Sequence, residues 1–156
     1  MSEQTNKDLA YDPQDLERLL VSRENVGDVD GMAALYEPEA LLDCGGGRLT
    51  NGREAIRKFY GEVVATGRKF ELGEQRAAMV CGDLALTSTR LPDGTVTAEI
   101  ARRQSDGTWL WVIDQFSISS GVTSPARAEG KNLGRNQTGS HSGELNPQYR
   151  ASVEAM

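Results

Sequence analysis

A chain of 156 residues, 38% of them apolar, is long enough to bury one core without disulfide or metal staples, and its net charge of −6 has the wrong sign for nucleic-acid phosphates. The acidic excess lies before Ser119, where thirteen Lys and Arg stand against twenty Asp and Glu. The single histidine, His141, sits in a polar stretch, which excludes His-based zinc sites and Ser-His or Cys-His pairs from the folded part; neither a metal nor another cofactor is expected.

Residues 1–11 are polar and read as a flexible N-terminus. Asp12-Pro13 then supplies an N-cap and a first-turn proline for a helix that runs to about Asn25. Leu16, Leu19 and Leu20 recur on it at helical spacing, and Gly27 ends it. Asp28 caps a second short helix that carries Val29, Met32 and Leu35 on one side and stops at Glu37-Pro38. Residues 40–44 read as a strand, and Gly45-Gly46-Gly47 as a turn that lacks the Lys-Ser/Thr of a phosphate loop. Asn51 and Glu54 form a capping-box pattern for a third helix, whose Ile56, Phe59, Tyr60, Val63 and Val64 share the face that should lie on a sheet.

After Gly67 the pattern is strand: about 68–72, 75–81 and 84–91, then two hairpin arms at 95–104 and 109–118. Gly82-Asp83 and Pro92-Asp93-Gly94 are the intervening turns, and the order of elements is that of an α+β domain. From residue 120 onward Ser, Gly, Asn, Gln and Thr dominate, so 12–119 is expected to be the domain and 120–156 a polar, disordered tail. Cys44 and Cys81 are the only cysteines. Without a charged-then-apolar leader or an apolar run long enough to span a bilayer, the expectation is a cytoplasmic chain with free thiols and no membrane partner.

The last two arms, joined by Asp106-Gly107, organise the rest. A two-residue turn there sets Glu99 opposite Asp114, Ala101 opposite Val112 and Arg103 opposite Leu110 on one face. Ile100 then faces Ile113, Arg102 faces Trp111 and Gln104 faces Trp109 on the other. With Pro92-Asp93-Gly94 as a three-residue loop, Thr87 comes opposite Glu99. If the Glu99/Asp114 face looks inward, Trp109, Trp111, Ile100 and Ile113 form an outward apolar strip, the face expected to join two copies into a homodimer; if the tryptophans line the interior instead, the two carboxylates are surface residues.

The run VGDVDGMAALYEPEALLDCGGGRLTNGREAIRKFY, with GDLALTSTRL and ARRQSDGTWLWVIDQFSI further on, resembles the SnoaL-like, ketosteroid-isomerase-like branch of the nuclear transport factor 2-like superfamily over about residues 12–118. The resemblance implies a cone-shaped, curved antiparallel β-sheet closed by three helices of the N-terminal half, an α+β barrel that dimerises through its outer face. It also implies a pocket for a small, largely apolar molecule and cofactor-free acid/base chemistry: isomerisation, cyclisation or dehydration. A non-catalytic ligand-binding or dimerisation module of the same fold is the alternative. In register with ketosteroid isomerase, the general base falls on Cys44 and the phenolic donor on Leu20; only the second, proton-bearing carboxylate has a counterpart, Glu99. Asp43 is adjacent to the base position but turned to the opposite face.

Glu99 and Asp114 are thus the candidate catalytic residues, because two facing carboxylates in a half-apolar pocket cannot both ionise cheaply and one of them keeps a proton. The competing reading is a solvated pair at the sheet's edge, bridged to Arg103 or Arg90. Cys44, Tyr60, Thr87, Arg103, Val112 and Phe116 complete the expected ligand pocket, with Arg103 suited to an anionic substrate. Cys44 has no histidine to activate it, so it reads as a small buried apolar residue as readily as a nucleophile.

Overall fold

The computed structural model describes residues 8–119. The expected 120–156 tail lies outside them, as do residues 1–7. Asp8 to Tyr11 form neither helix nor strand, yet Ala10 is buried and its carbonyl accepts from the Trp109 N–H at 2.7 Å, so the domain's contacts begin ahead of residue 12.

Helix α1 (Asp15–Val26) buries Leu16, Leu19, Leu20 and Glu24. It starts later than expected because the Asp12 carboxylate accepts from the Gln14 N–H and the Asp12 carbonyl from Asp15, forming a turn ahead of the helix. Gly27 closes it in the left-handed conformation, φ 75°. Asp28 caps α2 (Val29–Ala33) by accepting from the Gly31 N–H at 2.9 Å; a Cβ on Gly31 would lie 2.0 Å from that carboxylate, so the cap needs glycine there. Strand β1 (Tyr36–Asp43) begins earlier than expected and carries Pro38 in the irregular stretch between Tyr36 and Leu41, where the missing N–H is tolerated.

The glycine turn leads into β2 (Leu49–Asn51), a strand the sequence pattern did not reveal. Because Asn51 is held in that strand opposite Leu41, it does not cap α3 (Arg53–Ala65); Gly52, at φ 87°, turns the chain instead. The expected helix face is buried at Ile56, Phe59, Tyr60 and Val63. Residues 68–72 form no strand. There the Asn25 side-chain amide donates to the Phe70 carbonyl and accepts from its N–H, standing in for a strand neighbour. The two following runs are each broken, into β3 (Glu74–Gln75) and β4 (Met79–Cys81), then β5 (Leu84–Thr87) and β6 (Thr89–Arg90).

The hairpin is β7 (Val96–Arg103) and β8 (Trp109–Ser119). The sheet runs β2-β1-β8-β7-β5-β4, with β6 also on β7 and β3 on β6. It is curved, unclosed and antiparallel apart from one parallel pair, β1 with β8. Glu99 faces Asp114 and Thr87 faces Glu99, as expected. Nearer the turn the register differs: Ala101 faces Trp111, Arg102 faces Leu110 and Arg103 faces Trp109. The turn is one residue longer than supposed, with the Gln104 N–H bonded to the Thr108 carbonyl, and a bulge at Val112 restores the register before Asp114.

That bulge reverses the faces of the tryptophans. Trp111 and Trp109 are 1% and 4% exposed and pack inside, so they cannot belong to an outer apolar strip. The outer face instead carries a row of paired residues, Leu41, Ile113, Ile100, Leu86 and Met79, crossing β1, β8, β7, β5 and β4.

A carboxylate-lined cavity as candidate site

The inner face of β7 and β8 is where the sequence expects chemistry, and both carboxylates point into it. Glu99 and Asp114 are each 3% exposed and line one cavity with Thr97 and Phe116 from the sheet, Leu91 just after β6, and Glu17 and Leu20 from α1. Its volume of ≈ 20 Å³ has room for a water molecule. No Lys, Arg or His is among its lining residues.

Each acid of the pair has its own hydrogen-bonding support. Thr87, brought opposite Glu99 by the β5–β7 register, donates from Oγ1 to Glu99 Oε2 at 2.7 Å. Tyr36 donates to Asp114 Oδ2 at 2.5 Å, and its oxygen lies 2.6 Å from the Tyr60 hydroxyl. Tyr36 has one proton and spends it on Asp114, so Tyr60 is the donor of the second bond. Arg53 fixes the base of this chain by holding the Tyr36 carbonyl from two guanidinium nitrogens, at 2.9 and 2.5 Å.

Burial, the cost of charging a carboxylate away from water, pushes Glu99 up to about 7 against the lowering effect of the Thr97 and Thr87 hydroxyls. Asp114 is raised well above the ordinary range, first by burial and then by the charge of Glu99; the Tyr36 bond opposes this, and Glu17 and Asp43 add to it. Glu17 is pushed up to about 8 by burial, Glu99 and Glu24 in that order. Tyr36 is raised well above 10, again chiefly by burial and then by Asp114, so its hydroxyl remains a donor. The site therefore pairs a carboxyl that keeps its proton with a carboxyl that releases it near neutrality.

Of the expected pocket residues, Thr87 and Tyr60 support the pair and Phe116 lines the cavity. Three others stand apart. Arg103 is exposed over the Trp109 ring, 5.7 Å from its centroid, and is four residues from Glu99, about 13 Å along the strand. Val112 is the bulge residue and Cys44, although fully buried, bonds Thr50 at 3.1 Å; neither lines the cavity, and burial raises the Cys44 thiol. Arg103 and Cys44 therefore lie outside the cavity, and Cys44 is the small buried residue, the milder of its two readings. Glu17 was missed because a glutamate in the second half-turn of an amphipathic helix reads as a solvated face. Its spacing with Leu20 and Glu24, three and seven residues, was the available signal.

A SnoaL-like domain model matches residues 16–122. No curated protein matches the chain. Solved structures resemble it in fold at low identity. A candidate dehydratase of the NTF2-like family from Streptomyces avermitilis is 16% identical, with 64% of this chain and 89% of that one covered and a TM-score of 0.54. A candidate calcium/calmodulin-dependent protein kinase type II association domain from Thiobacillus denitrificans is 17% identical over 69% and 94%, TM-score 0.53. An NTF2-like protein with a cystatin-like fold from Novosphingobium aromaticivorans is 19% identical over 68% and 80%, TM-score 0.50.

Proposed function

The chain belongs to the SnoaL-like domain family, and on that footing we propose that it binds a small, largely apolar molecule and moves a proton on it without a cofactor. Asp114 is the acid and Glu99 the base; isomerisation, cyclisation and dehydration all need that pair. The observation that carries this reading is the placement of two carboxylates, each 3% exposed, on one cavity with unequal support. Tyr36 and Tyr60 back the acid and Thr87 the base. A cavity that admits a water-sized group suits the reacting end of a small substrate, with Leu20, Leu91 and Phe116 against its apolar part. Such a cavity does not suit a steroid nucleus.

Deuterium uptake from D2O into a panel of small cyclic ketones tests the base directly. The wild type should label the carbon next to the carbonyl, and Glu99→Gln should lower the rate by about a hundredfold. Equal uptake by both proteins would remove Glu99 from the chemistry.

The second reading, a binding or assembly module, is favoured by the outer apolar row, in which Ile100, Ile113, Leu86 and Met79 are 36%, 41%, 44% and 70% exposed. The two readings are compatible: we place a homodimer interface on that row and the chemistry on the opposite face of the same sheet. The free thiols of Cys44 and Cys81 fit a reducing, cytoplasmic setting.

A further inference from the structure

A proton-transfer pair that turns over must be reset, and neither member is placed to do this alone. Glu99 and Asp114 are 3% exposed, and each has an oxygen engaged, by Thr87 and Tyr36 respectively. The tyrosine chain leads the wrong way, since Tyr36 and Tyr60 are both 0% exposed. The opposite wall differs. Glu17 reaches the cavity from α1 and is half-buried, the one acid of the three with more than a trace of surface open to solvent.

We propose that Glu17 is the residue through which the buried acid pair exchanges protons with solvent. It acts through Glu99 and Asp114, a positioning residue rather than a catalytic one, and its role rests on the acid/base reading above. The cavity has room for the water that would link them. In the outward direction the Glu99 O–H bond formed in turnover breaks as this water takes the proton, the water passes one of its own to a Glu17 carboxylate oxygen, and Glu17 gives it to bulk water; inward, the same groups deliver a proton to Asp114. The pocket loses one proton, bulk gains one, and no electrons change hands; the reverse sequence restores the acid.

The groups that act on this route are all acidic or hydroxylic: Glu99 from β7, Asp114 from β8, Tyr36 and Asp43 from β1, Tyr60 from α3 through Tyr36, and Glu24 from α1 itself. Glu17 and Glu99 are both pushed up, to about 8 and about 7, so each can take and release a proton near neutral pH. A fixed cation would trap Glu17 in its charged form, and none lines the cavity.

The test is the exchange with water of the Asp114 carboxyl proton, followed by NMR from pH 5 to 9 in the full chain as wild type, Glu17→Gln and Glu17→Asp. Glu17→Gln should slow exchange by about a hundredfold and Glu17→Asp should restore it to near the wild-type rate. In the wild type the rate should level off above about pH 8, where Glu17 is ionised. That profile decides the matter even if a variant fails to fold. Equal rates in wild type and Glu17→Gln, a rate that climbs with hydroxide throughout, or exchange too fast to observe in both proteins would each overturn the proposal. Failure of the acid/base reading shows elsewhere, as deuterium uptake that Glu99→Gln leaves unchanged.

Discussion

Glu24 shows at a single residue how this fold spends stability on buried acid. It is 4% exposed, its Oε1 has no hydrogen-bond partner, and burial pushes it up from 4.5 to about 8. A carboxyl whose folded value is raised holds its proton more tightly when folded, so it costs nothing below the unfolded value. The cost grows as pH climbs from 4.5 and is complete above about 8. Glu24→Gln cannot ionise and should therefore gain on the wild type by a few kcal/mol, on the order of 2–4, at pH 9. The gain should vanish toward pH 4. Urea unfolding across that range checks it, and a difference independent of pH would show that Glu24 titrates alike in the folded and unfolded states.

At the scale of elements the decisive feature is the bulge at Val112. A two-residue turn and a regular strand, assumed together, give the correct facing of Glu99 and Asp114 because the longer turn and the bulge offset each other. Between those two irregularities the faces of β8 are exchanged, and that is where Trp109, Trp111 and Val112 were misplaced; Arg103 keeps its face of β7 and misses the cavity because it lies four residues from Glu99. Alternation of apolar residues reports a face but not an extra residue, so nothing in ARRQSDGTWLWVIDQ marks the bulge. The helices were more legible: Gly27 and Asp28 carry their own caps, whereas Asn51 offers a side chain that strand pairing takes away. The broken runs at 75–81 and 84–91 were legible as β structure and illegible in their bends. Burial of both tryptophans predicts that iodide quenches native fluorescence weakly at micromolar and nanomolar protein alike. Stronger quenching on dilution would return them to an interface.

For the molecule as a whole, the sheet separates two surfaces with different work, acid within and an apolar row without. A row of five hydrophobic side chains crosses neighbouring strands on the outer face, and the proposed homodimer would bury it. Ile113→Glu should give a monomer in sedimentation while leaving the melting temperature of the individual fold nearly unchanged; a monomeric wild type at micromolar concentration would contradict the interface. The inner surface carries the central claim, that Glu99 and Asp114 divide one proton near neutral pH. Carbon-detected NMR titration of the side-chain carboxyls measures it directly. Glu99 should titrate at about 7, well above its ordinary 4.5, with Asp114 raised well above 3.8, and Asp114→Asn should leave Glu17 as the acid still coupled to Glu99. Two carboxyls that both titrate near 4 would contradict the account.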